Sequence, residues 1–406
     1  MSGPRRMKDI VTTAPKPFLV IIAFTAMMTA VPTHALAQQT MRDVLSFLLT
    51  NQAVRTGDIE KDAEATAATR DTISRALLIE LATLPISTSS SGFTYLFNSD
   101  LGTRERASSS FGPFFVERAL TSGRNQMSFG ATFRYSQFDR LDGDDLRTGD
   151  FVTTATQFRD EPAPFDVETL ALRIDTRTVT AFASYGISDR IDIGAALPIV
   201  SMRLAGERVN TYRGQRIPQA AATATTTGVA DMAITARAHL LGGSASGLTA
   251  GAELRLPTGR EEDLLGTGEP AIRLLAIGSL EGVRASAHVN GGYSWGGISR
   301  EASYSAAVTL AASERFTLVG EFLGRWIEGL GQISQVTAPH PSSIGVDTIR
   351  LLPTAEGTMT AMAVAGFKWN VSGRWLVNAN VLLPVTDRGL RARAVPAIAL
   401  DYSFGN

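Results

Sequence analysis

Residues 127–136 read Met-Ser-Phe-Gly-Ala-Thr-Phe-Arg-Tyr-Ser. Each odd position is apolar or aromatic and each even one small or polar, the period of two of a β-strand with one dry face. The pattern recurs down the chain: Ile191, Ile193, Ala195, Leu197 and Ile199; Leu248, Ala250, Ala252, Leu254 and Leu256; Ala285, Ala287, Val289, Gly291, Tyr293 and Trp295. It returns at Met359, Ala361, Ala363, Ala365, Phe367 and Trp369, and again from Trp375 through Val377, Ala379, Val381, Leu383 and Val385.

The connections between these segments alternate in length. Short turns fall at Ser188–Arg190, Gly242–Gly247, Glu281–Val283, Ser313–Arg315 and Ser372–Arg374. Longer polar links lie between them, at Asp139–Asp166, Ala205–Gly228, Thr258–Pro270, Gly297–Glu301, Glu328–Gly357 and Thr386–Arg391. Short turns on one rim and long loops on the other are the plan of a transmembrane up-and-down barrel. The tally predicts an all-β antiparallel barrel of about twelve strands over residues 126–406. Residues 92–125 are a linker or one extra hairpin, which would make fourteen; Pro113 argues against the second segment of that hairpin as a central strand.

What each face carries separates a barrel from a soluble sandwich. Trp295 and Trp326 close strands that run toward long links, whereas Trp369 and Trp375 flank a short turn, so they are expected at the two membrane interfaces. The opposite register holds Arg134, Asp192, Asp231, Arg237, His239, Glu253, Arg255, Arg273, His288, Glu321, Arg325 and Lys368. Both signs are interspersed, so these twelve are the candidate lumen-lining residues, able to pair across strands in a wet interior. Between Phe316 and Ile327 the lumen register also holds Val319 and Leu323, a mixed lining suited to an amphipathic solute.

In the 406 residues, hydrophobic types make up 44% and charged types 19%, yet beyond the first forty no apolar run has the length of a membrane helix. A barrel hides its lipid-facing residues from such windows by placing them at every second position. Residues 1–37 combine Arg5, Arg6, Lys8 and Lys16, an apolar stretch from Phe18 to Val31, and Ala35 and Ala37 before Gln38. They read as a secretory signal cleaved near Ala37, which implies export to the cell outer membrane, with outer-membrane lipids as surroundings. The formal charge of −1 leaves no basic footprint for nucleic acid. Cysteine is absent, which excludes disulfides and thiolate chemistry.

Residues 38–91 change period. Ile73, Leu77, Leu81 and Leu84, with Ala76 beside them, form one helical stripe that Pro85 and the run 87–92 end. This helical segment either packs on the barrel or plugs it.

Catalytic signals are weak. Beyond residue 37 only His239, His288 and His340 remain, and no Gly-x-Ser-x-Gly elbow marks a nucleophile. Asp139, Asp142, Asp144 and Asp145 cluster beside Gly143 without the later glutamate of a calcium loop, so a solvated loop is expected and neither metal nor cofactor is assigned. The chain is read as a non-enzyme.

Ile398, Leu400, Tyr402 and Phe404 share one face of the last segment. This resembles the closing strand of outer-membrane proteins, whose C-terminal aromatic the assembly machinery recognises; here Gly405 and Asn406 follow it. Residues 178–200, TVTAFASYGISDRIDIGAALPIV, with Leu256-Pro257-Thr258-Gly259 and Leu265-Gly266-Thr267-Gly268, resemble outer-membrane transporters of the MetA-pathway phenol-degradation family. A more distant similarity is to hydrophobic-compound channels of the long-chain fatty-acid transporter type. The likeness covers mainly residues 126–404 and implies passive uptake of small hydrophobic or aromatic compounds, with no site residue carried over. A structural or adhesive barrel without solute, and a barrel enzyme of the outer-membrane lipase type, are the alternatives.

Overall fold

Twelve strands alternate in direction and pair in chain order: β1 (Met127–Leu141), β2 (Asp166–Gly186), β3 (Ile191–Tyr212), β4 (Gln215–Val229 continued by Met232–Gly242), β5 (Ser246–Leu256) and β6 (Ala271–Glu281). They are followed by β7 (Ala285–Gly296), β8 (Glu301–Ser313), β9 (Phe316–Ile327), β10 (Thr358–Ser372), β11 (Trp375–Pro384) and β12 (Val395–Phe404). Antiparallel pairing of β12 with β1, from Ala397↔Arg134 to Phe404↔Met127, closes the barrel. The computed structural model describes residues 39–49, 71, 73–79, 81, 95–98, 103–106, 110–243, 246–329, 333–340, 343–354 and 356–404. The signal segment 1–37 and Leu84 lie outside the described residues.

The barrel has twelve strands, not fourteen. A hairpin does form before β1, from Tyr95–Asn98 and Thr103–Arg106, but it is a two-stranded sheet of its own. Residues 111–120 contain no strand.

The faces are inverted relative to a soluble protein. Phe133, Val179, Ile193, Leu248, Leu274 and Val308 are exposed around the outside, while Ser128, Thr180, Asp192, Thr309, Lys368 and Asp401 are buried inside. Only a bilayer makes that arrangement favourable, and a closed barrel satisfies it because no strand edge is left unpaired in hydrocarbon. No helix among the described residues is long and apolar enough to cross a membrane; strands cross it. The four tryptophans are 39–48% exposed at the strand ends read from the sequence. At the closing seam Trp375, Phe129 and Phe404 surround Tyr402, with ring centroids 4.6–5.5 Å from it.

The long links hold more order than their composition suggests. Ala205–Gly228 is a continuation of β3 and β4 to a tight turn at Arg213 and Gly214, both at positive φ. Phe151–Phe158, Ile333–Pro339 and Val346–Pro353 pair edge to edge above the other strands. The alternation fades there because the outward positions, Arg173, Arg177, Arg203 and Glu207 among them, have left the bilayer and need not be apolar. Under this extension Glu168 and Arg208, both buried, face each other at 4.0 Å. Burial pushes the Glu168 carboxyl up to about 7, with Arg208 opposing the rise.

Inside the long-loop half lies an apolar core. Leu170, Leu172, Ile174, Met202 and Leu204 point inward and pack with α1 (Met41–Leu49) and with the helical residues 73–79. Thr40 Oγ1 accepts from Asp43 N (3.0 Å) and Asp43 Oδ2 from Thr40 N (3.2 Å), so α1 opens on a reciprocal cap. Its buried face is Met41, Val44, Leu45, Leu48 and Leu49. Leu48 comes so close to β3 that a Cβ on Gly206 would stand 2.5 Å from its Cδ1, and the leucine side chain would have to shift to admit one. The sequence stripe is buried as well, at Ile73, Ala76 and Leu77.

Candidate pore interior

Residues 110–124 run through the short-turn half of the lumen without regular structure and leave it directly into β1. An irregular segment away from water must find a partner for each backbone group, and here wall side chains supply them. Phe111 N donates to Thr317 Oγ1 (3.1 Å) and Ala119 N to Ser279 Oγ (2.9 Å). The Glu321 carboxylate receives three consecutive amides: Phe114 N, Phe115 N (3.0 Å) and Val116 N (3.2 Å). Lys368 Nζ donates to Pro113 O (2.7 Å), Thr249 Oγ1 donates to Ala119 O (2.5 Å), and Asp192 Oδ2 accepts from Ser122 N (2.8 Å). The inner strap also has side-chain ties: Arg118 meets Glu281 through two nitrogens at 2.5 and 2.8 Å, and Glu117 meets Arg237 at 2.6 Å. At the exit, Asn125 N donates to Gly186 O, and a Cβ on Gly186 would fall 1.9 Å from Gly123 O.

Between strap and apolar core the barrel encloses a cavity of about 130 Å³. Its wall carries a chain of alternating charges: Arg255 Nε to Glu253 (2.8 Å), Arg273 to Glu253 (4.0 Å) and Glu301 (3.1 Å), Arg325 to Glu301 (3.6 Å). Arg325 Nε also donates to Thr360 Oγ1 (3.0 Å). Leu275, Leu323 and Met362 line the same space, and Phe115 and Glu117 of the strap close it. The cavity is therefore amphipathic, with guanidinium and carboxylate groups beside aliphatic side chains.

The structure sorts the twelve candidate residues into three groups. Glu253, Arg255, Arg273 and Arg325 line the cavity, and Arg237 touches both cavity and strap. Asp192, Glu321 and Lys368 hold the strap, with His239 Nδ1 3.1 Å from Ala119 O. His288 acts one step away, its Nδ1 2.8 Å from the Ser279 hydroxyl that serves Ala119. Asp231 and Arg134 do neither. Asp231 accepts from Gly259 N (3.1 Å), Thr267 N (2.8 Å) and Thr267 Oγ1 (3.0 Å), pinning the long loop 257–270, while Arg134 is buried beneath it.

Sequence reasoning missed Glu117, Arg118, Glu281 and Glu301. The last two sit in the polar register of β6 and β8 and were legible as further wall charges; the first two belong to the strap, which has no period. Ser279 and His288 form a hydroxyl–imidazole pair, but His288 Nε2 meets no hydrogen-bond partner among the described residues and both side chains are sealed beneath the strap. Among the described residues no carboxylate hydrogen-bonds that imidazole as a catalytic triad requires. Among the described residues no group of three or more acidic or histidine side chains is placed to hold a metal ion. Of the loop aspartates, Asp142 instead ties three loops by accepting from Ile333 N (2.8 Å) and Gly389 N (2.7 Å).

No protein-family model and no curated protein sequence matches the chain. Three solved structures that resemble the chain do so at low identity. The COG4313 outer-membrane channel from Pseudomonas putida F1 is 13% identical, with a TM-score of 0.45 over 70% of this chain and 98% of that one. A KdgM porin, solved in complex with disordered oligogalacturonate, is 8% identical, with a TM-score of 0.36 over 68% and 99%. The translocator domain of the autotransporter NalP from Neisseria meningitidis is 10% identical, with a TM-score of 0.37 over 70% and 89%. The strand count and closure described above rest on the pairing within this chain.

Proposed function

We propose that the chain is an outer-membrane channel for passive uptake of small hydrophobic or aromatic compounds, held shut by its own N-terminal residues. The observation that carries the reading is the amphipathic cavity in the bore of a closed barrel, lined on the short-turn side by Phe115 and Glu117 of the strap and adjoining the apolar core through Leu323 and Met362. Twelve strands leave a narrow bore, so these segments fill much of it. A solute with an apolar body and a polar edge suits the cavity wall, where Leu275, Leu323 and Met362 adjoin the arginines. Export through the signal at residues 1–37 and insertion by the outer-membrane assembly machinery, which would read the aromatic at Phe404, complete the proposal.

Planar-bilayer conductance and liposome flux of aromatic solutes test it. Full-length protein is expected to conduct little, and a variant lacking residues 38–124 to pass small aromatic solutes. Absence of flux in both would leave a structural or adhesive barrel.

A further inference from the structure

Just above the apolar belt on the long-loop side, β2 and β3 carry three exposed guanidiniums on their outward face: Arg173, Arg177 and Arg203. Their orientation follows from the register. Arg177 continues the outward series that ends in exposed Val179, and Arg203 continues the one that ends in exposed Ile199, while Thr176 and Met202 between them are buried. Asp175 lies between Arg173 and Arg177 on its own strand and directly opposite Arg203, and Tyr135 Oη donates to it at 3.4 Å. Three positive charges therefore stand around Asp175 at the upper edge of the exposed apolar face, with Glu207 the next outward charge of β3 beyond them.

Elsewhere on the circumference the strand ends toward the long loops are built differently: β7 presents Trp295 and β9 presents Trp326. The arginine cluster is a local feature, continuous with the lipid-facing side chains of Phe133, Val179 and Ile199 below it.

We infer that this face binds a phosphorylated lipid of the outer leaflet, its acyl chains against the belt and its phosphate held by Arg173, Arg177 and Arg203. A phosphomonoester carries up to two negative charges, and arginine presents paired donors that match phosphate oxygens. A soluble anion would use the charges but not the adjoining apolar wall; a lipid of the lipid A type uses both. The inference rests on the reading that the barrel lies in the outer membrane with its long loops outside.

The test is binding of fluorescent lipid A to the full-length protein in uncharged detergent. The R173A/R177A/R203A variant is expected to bind at least tenfold more weakly, and the wild type to lose affinity as salt rises. Lipid A stripped of its phosphates is expected to bind both proteins equally. Equal binding of intact lipid A by wild type and variant would overturn the inference, as would its displacement by millimolar inorganic phosphate, which would mark a free-anion site. Heat-modifiable gel mobility checks that the variant folds; if it does not, R177Q and R203Q are read in its place. Recovery of the wild type outside the outer membrane sinks the location, whereas correct location with phosphate-independent lipid binding sinks this inference alone.

Discussion

The two halves of the bore are filled in opposite ways. On the short-turn side the wall presents Thr317, Ser279, Thr249, Glu321 and Lys368, and the segment against it is irregular. On the long-loop side the wall presents Leu170, Leu172, Met202 and Leu204, and the segment against it is helical. A helix satisfies its backbone internally, apart from its ends, and can rest on leucine; a strap without secondary structure can be buried only where side chains stand in for water. The chemistry of each wall thus selects the conformation that can lie against it. Each kind of filling also has its own weak point: loss of a polar partner below, loss of packing volume above.

The largest effect is expected at Glu321. Replacing it with leucine strands three strap amides in a buried site, at roughly 3 kcal/mol or more. The strap should then leave the wall, and because the chain has no cysteine, a single thiol introduced at Glu117 reports on it. Its labelling by an impermeant maleimide should speed up more than tenfold in the E321L background. An unchanged rate would mean that the wall carboxylate does not hold the strap.

Leu48→Ala tests the other half. The side chain is fully buried beside Gly206, and truncation should weaken docking of α1 by about 3 kcal/mol. Hydrogen exchange should accelerate in 41–49 while 110–124 keeps its protection. Equal acceleration in both would show that the two fillings form one cooperative unit.

The smallest effect concerns pH in the extension above the membrane. The folded Glu168 carboxyl titrates near 7, above its ordinary 4.5, so the native state holds that proton more tightly than the unfolded chain. The resulting stability is fully present below about 4.5 and is lost as pH rises through about 7. Protection factors at the tips of β2 and β3, taken against the base-catalysed intrinsic exchange, should therefore fall between pH 4.5 and 8, and Glu168→Gln should flatten the dependence. A slope that persists in the variant would assign it to another group.

Much of the candidate site was legible as a register and little of it as a set of partners. All twelve candidate positions were placed by alternation alone, since a strand residue two steps from an inward one also faces inward. Which of them line a cavity and which hold a backbone was not legible. Glu321 and the strap amides it receives are separated by more than two hundred positions, and no local pattern encodes such a meeting. In sequence the strap looks like a linker or hairpin because its burial depends on wall side chains and leaves no period of its own. The long links look like loops in sequence for a related reason: strands that leave the bilayer no longer need an apolar outward face.

The sequence by itself determined the strand order, the two rims, the tryptophans near strand ends and the exposed apolar face, because a bilayer imposes a strict period of two on any strand that crosses it. Only the tertiary structure decided that the bore is occupied, by helix above and strap below, and that a charged cavity survives beside the strap. Those features arise from side chains brought together by barrel closure. Closure is a property of twelve strands at once, and no single segment carries it.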